Sequence, residues 1–140
     1  VYQRGRYARR LLAKLAVAEK RFDDAAAELQ TVIDDTEGEE LSYIARMRLA
    51  RLEMGRENYS QALDVIAGDT PPALLASVAE LRGDIHLFAG DQPAARAAYQ
   101  RALDTVGSSD QRLAALLELK LNQVLSAPPS ASEVTAGEES

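Results

Sequence analysis

The feature that most constrains this chain is a set of small residues recurring at a fixed distance. Ala62 and Ala95 are 33 residues apart, and so are Ala50 and Gly83. Leu49, Ala50, Tyr59, Ala62 and Leu63 form one copy of the pattern; Gly83, Gly90, Asp91, Ala95, Tyr99, Ala102 and Leu103 form a fuller one. A fainter copy lies 37 residues before Tyr59 and Ala62, at Phe22 and Ala25, with Leu12 and Ala13 ahead of it. A period of this length is one helix–turn–helix unit, which cannot bury both of its faces alone and has to stack on its neighbours. Ala13, Ala50 and Gly83, with Ala25, Ala62 and Ala95, are expected to let paired helices approach closely. Phe22, Tyr59 and Tyr99 are expected to fill gaps towards the neighbouring pair.

The apolar spacing agrees with this period. A first helix is expected over residues 2–19, through Tyr7, Leu11, Leu12, Leu15 and Ala16, and its partner over 22–35. Glu39 and Glu40 open a third helix, where negative charge suits the amino end, and Gly55 closes it. Asn58 and Gln61 resemble a capping box for a short helix reaching Ile66. Thr70 is the expected cap of the next helix, with Pro71 in its first turn, and Asp91 caps the one after, with Pro93 in its first turn. Residues 111–125 form a last amphipathic helix, whose Gln111, Arg112, Glu118, Lys120 and Gln123 are expected to be its solvated outer face. The spacing therefore predicts an all-α domain over 1–125, with pairs at about 2–35, 39–67 and 71–106, a closing helix at 111–125, and a flexible polar tail over 126–140.

Composition narrows the function. There are 16 Lys+Arg against 22 Asp+Glu, a net charge of −6, and no basic stripe for phosphate-driven nucleic-acid binding. Cysteine is absent, which excludes disulfides and cysteine metal sites. The uncharged runs are too short to span a bilayer. His86 stands alone and reads as a packing or surface residue. The acidic cluster from Asp34 to Glu40 lacks the alternating oxygen ligands of a calcium loop. A helix separates Gly83 from Gly90, so they make no phosphate cradle, and Asp110 beside Ser108 and Ser109 reads as a helix cap. Nothing in the chain calls for a cofactor or a catalytic site.

The seven residues of the fullest copy match the tetratricopeptide consensus in order, so the chain resembles that repeat class. The resemblance implies a right-handed superhelix of three antiparallel helix pairs plus a closing helix. It also implies a protein-binding groove lined by the first helix of each pair. The groove residues would be Tyr7, Arg10 and Lys14, then Met47, Arg51 and Met54, then Glu80, Asp84, Leu87 and Phe88. Such a groove is basic at one end, thioether-lined in the middle and acidic at the other. The subclass that clamps acidic carboxy-terminal peptides is disfavoured, because the matching positions hold Arg10, Lys14, Arg48, Ser77 and Leu81.

Longer stretches narrow the resemblance further. Tyr7-Ala8-Arg9-Arg10-Leu11-Leu12-Ala13-Lys14-Leu15-Ala16 and Ala45-Arg46-Met47-Arg48-Leu49-Ala50-Arg51-Leu52 carry it. So do Glu80-Leu81-Arg82-Gly83-Asp84-Ile85, Ala94-Ala95-Arg96-Ala97-Ala98-Tyr99 and Leu119-Lys120-Leu121-Asn122. Together they resemble the ancillary subunit family of the bacterial Sec translocon, inner-membrane proteins with one amino-terminal anchor and a periplasmic repeat domain. That resemblance implies no catalysis. It implies partners among translocon subunits, periplasmic chaperones and secreted polypeptides, and a periplasmic location, with any membrane anchor upstream of Val1. The competing expectation is a cytoplasmic repeat adaptor. A further expectation is self-association through the first helix pair, whose apolar outer face has no visible neighbour.

Overall fold

The computed structural model describes residues 2–126, and the tail expected over 126–140 lies outside them apart from its first residue. The described residues form helices α1 (Tyr2–Asp35), α2 (Glu39–Gly55), α3 (Tyr59–Val65), α4 (Leu75–Phe88), α5 (Gln92–Val106) and α6 (Gln111–Ser126). A single 3-10 turn, Pro72–Leu74, leads into α4. Each helix packs on the next in the chain, and α2 also reaches α4. This nearest-neighbour pattern is that of a solenoid.

Two buried clusters hold the stack together. Tyr43, Met47, Ala50, Ala62, Ile66, Val78, Leu81 and Ile85 join α2, α3 and α4. Ala79, Ala95, Tyr99, Ala102, Val106, Leu117 and Val124 join α4, α5 and α6. Helix α4 thus belongs to both, because Val78, Leu81 and Ile85 recur at helical spacing on one face while Ala79 and Gly83 occupy another. The small repeat positions Ala50, Ala62 and Ala95 are fully buried. At Gly83 the reason is visible: a β-carbon there would lie 2.5 Å from two ring carbons of Tyr99. Tyr99 therefore packs inside its own pair, against Gly83, as well as towards α6, where it clusters with Leu117 and Val124.

The expected first pair is the largest correction. Residues 2–35 form one continuous helix, not a hairpin. Glu19, Lys20 and Arg21, where the turn was expected, are all good helix formers, and no glycine or proline interrupts them. Arg56 reinforces the continuity. Its guanidinium reaches Glu19 at 2.7 Å and Asp23 at 3.0 Å, four residues apart on one helix face, and it lies 5.8 Å from the centre of the Phe22 ring. Beyond that clamp, Phe22, Ala25, Ala26, Leu29 and Ile33 are half-buried, and the Ser42 hydroxyl of α2 donates to the Ile33 carbonyl. Before it, residues 4–21 are all exposed, Ala13 included.

Helix ends follow the sequence in part. Asp91 accepts a hydrogen bond from the Ala94 amide and Asp110 accepts from the Arg112 and Leu113 amides, as caps do. Asn58 makes no capping bond; its side-chain amide donates instead to Glu53, a buried carboxylate on α2. Thr70 is not a cap either. Pro71 precedes a second proline, which drives it to extended backbone with ψ near 137°, so α4 cannot begin there. The Thr70 hydroxyl meets that of Tyr43, which donates to the Ile66 carbonyl at the end of α3. Past Gly55, the left-handed residue is Glu57, with φ of 64°.

Candidate protein-binding face

The resemblance assigns the groove to the first helix of each pair, and of these α2 and α4 are formed as separate helices. The ten residues expected to form a groove do not share one environment. Tyr7, Arg10 and Lys14 lie on the exposed half of α1, packed against none of the helices that carry the other seven. Met47 is 5% exposed and belongs to the core, because its position in α2 faces α4 across Ala50; it is not a groove residue. Met54 is half-buried against the same cluster and Leu87 against the other. Arg51 is exposed, and Phe88 is 66% exposed, an unusual position for a phenylalanine at a helix end.

Glu80 and Asp84 are brought together, but not as a free acidic end. Lys120 from α6 donates to Glu80 at 2.8 Å and to both Asp84 oxygens at 2.9 and 3.0 Å. The Tyr99 hydroxyl donates to Asp84 from α5, and the Lys120 ammonium sits 5.7 Å from the Tyr99 ring centre. Four polar side chains from three helices thus satisfy one another at the junction of the third unit with the closing helix. Lys120 was expected on the solvated face of α6, yet Leu117, Lys120, Leu121 and Val124 share the inward stripe. The helical spacing carried that signal, and the acid pair at positions 80 and 84, one turn apart on α4, supplied its counterpart. The outer face of α6 is also less polar than expected, with Leu116, Leu119 and Leu125 exposed.

This cluster makes stability depend on alkaline pH. Burial, then the hydrogen bond to Asp84, pushes the Tyr99 phenol far above its ordinary 10.0. Burial opposes the charge on Lys120, but its hydrogen bonds to Glu80 and Asp84 outweigh that and hold it above the ordinary lysine value of 10.5. Both groups keep their protons longer in the folded state than in the unfolded chain. Their contribution is therefore complete below about pH 10 and falls as pH rises further. Melting temperature should drop from about pH 10 upward, more steeply in the unsubstituted chain than in Tyr99→Phe; parallel profiles for the two would contradict this.

His86 lines a shallow cleft of about 200 Å³ between α4 and α5, with Arg82, Arg101 and four alanines. Among the described residues no group of three or more His, Asp or Glu side chains is placed to hold a metal ion. The exposed and half-buried members of the expected groove are a guanidinium at Arg51, an aromatic ring at Phe88 and a partly covered thioether at Met54.

Residues 2–126 match the family model of the tetratricopeptide repeat-like domain. The chain belongs to that family. Within it, two curated relatives are each 29% identical to this chain, and both are ancillary SecYEG translocon subunits. That of Escherichia coli (strain K12) aligns over 113 residues, covering 81% of this chain and 54% of the relative. That of Aggregatibacter actinomycetemcomitans aligns over 112 residues, covering 80% and 53%. The chain spans about half the length of the curated relatives it matches. No solved structure matches it significantly. The resemblance to the ancillary translocon subunits, read from the residues, is met by these relatives. The tetratricopeptide-like domain here is a non-catalytic, protein-interaction domain.

Proposed function

We propose that this chain is the repeat domain of an accessory subunit of the bacterial Sec translocon, and that it binds secreted polypeptides or periplasmic chaperones. The observation that carries the reading is the alignment of four fifths of the chain with two ancillary SecYEG translocon subunits. The proposed contact surface is the face of α2, α4 and α6, through Arg51, Met54, Leu87 and Phe88. Its mixture of charge, aromatic ring and flexible thioether suits varied extended segments better than one fixed motif. Among the described residues no helix is long and apolar enough to cross a membrane. Attachment to the inner membrane on its periplasmic side is accordingly proposed to lie in the remainder of the parent protein.

Purification of the full-length parent protein from gently solubilised membranes tests this. SecYEG subunits should co-purify, and an added protease should reach the repeat domain only after the outer membrane is opened. Recovery of the parent protein in the cytosolic fraction, without translocon subunits, would favour the cytoplasmic adaptor and end the proposal.

A further inference from the structure

The long helix α1 leaves one slot of the solenoid empty while carrying a segment that fits it. Along α1 a single apolar stripe runs from Tyr7 through Leu11, Leu15 and Ala18 to Phe22 and onward. Its carboxy-terminal part packs on α2, whereas Tyr7, Leu11 and Leu15 are 72%, 59% and 57% exposed. Beside that packed part, α2 presents its own uncovered row: Leu41 is 62% exposed, and Ile44 and Leu52 are half-buried. An open notch of about 340 Å³, lined by Ala18, Arg21, Phe22 and Leu52, marks where α1 departs from α2. The repeat register assigns this position to the first helix of the first unit, residues 2–19, which α1 instead carries away from the body.

We infer that the slot is filled by a second copy of this chain, whose α1 amino-terminal half lies across it while its own slot receives that of the first copy. This is an exchange of identical elements between two protomers, with a self-complementary interface. Two observations favour a second copy. The continuity of α1, with Arg56 bridging Glu19 and Asp23 across the would-be turn, carries the chain's own segment away from the slot. Charge then sets the direction. The segment bears Arg4, Arg9 and Arg10 near its start, and running antiparallel to the packed half of α1 it would bring them to Asp35, Glu37 and Glu39 of the other copy. The inference is independent of the translocon reading.

Sedimentation velocity of the whole chain across a wide concentration series tests it. A monomer–dimer equilibrium is expected. Leu11→Glu with Leu15→Glu should shift its midpoint by about tenfold or more while leaving the melt of α2 to α6 intact. A charge exchange distinguishes this interface from general stickiness. Arg4→Glu with Arg10→Glu should weaken the dimer, and so should Asp35→Lys with Glu37→Lys, each pair placing like charges together. Mixing these two variants should restore a dimer containing one of each, since both seams then become attractive. A chain monomeric at every concentration would overturn the inference, whether its own segment folds back or another protein takes the slot. A dimer indifferent to Leu11 and Leu15, or a mixture that fails to restore association, would overturn it equally.

Discussion

Replacing Gly83 with alanine is expected to destabilise the domain by about 2 kcal/mol, which lowers the melting temperature by roughly 5–10 °C. In an exposed helix interior the same change is favourable by up to about 1 kcal/mol, because alanine restricts the unfolded chain and glycine does not. At position 83 packing overrides that preference. The added β-carbon would stand 2.5 Å from the Tyr99 ring, and one of the two must move by roughly an ångström to reach ordinary contact. Tyr99 has little room, since it is 1% exposed, bonded to Asp84 through its hydroxyl and faced by Lys120. Gly55 supplies the control. It too is helical, but a β-carbon there meets nothing within 4 Å. Gly55→Ala should leave the melt unchanged or raise it. Equal effects at the two positions would mean that the close approach of α4 and α5 is not what Gly83 provides.

That contrast also explains what could be read from sequence. Gly83, Ala50, Ala62 and Ala95 announce themselves because close helix approach admits few residue types, so the second and third units were legible. Asp91 and Asp110 were legible for a similar reason: a cap acts through its own backbone neighbours. The first unit was not. Its repeat signal, Ala13 with Phe22 and Ala25, is compatible with a hairpin, but residues 19–21 contain nothing that compels a turn, and local helix preference prevailed. Met47 was misplaced because the register identifies a helix face without stating whether a neighbouring helix covers it. Lys120 was misplaced because residue type outweighed position, although Leu117 and Val124 already fixed its side of α6.

Removing Lys120 has the second large effect. In Lys120→Met, Glu80 and Asp84 lose their shared cation while their side chains remain only 17% and 25% exposed. Two partly desolvated carboxylates one helical turn apart then repel each other and lack full solvation. A fully buried pair broken in this way costs about 3–5 kcal/mol, and the residual exposure here reduces that to about 1–3 kcal/mol. The loss should be concentrated in α6, because Lys120 is its polar tie to α4. Amide exchange in Gln111–Ser126 should accelerate more than in α2 or α3. Adding Glu80→Gln and Asp84→Asn should recover most of the stability. The triple variant leaves no unpaired charge, and the side-chain amide introduced at position 84 can still accept from Tyr99. If the triple variant is no more stable than Lys120→Met, the ion cluster is not the source of the effect.

The claim on which the function rests is that the face built by α2, α4 and α6 meets other polypeptides. Position-resolved photocrosslinking in the native membrane tests it most directly, with a crosslinker placed in the full-length parent protein at one site at a time. Arg51, Leu87 and Phe88 probe the proposed face; the exposed residues Gln61, Arg96 and Gln100 on α3 and α5 probe the other helices. The expected result is adducts with translocon subunits, secreted chains or periplasmic chaperones from the first three positions and few from the last three. Adducts as abundant from α3 and α5, or none from Arg51, Leu87 and Phe88, would contradict it.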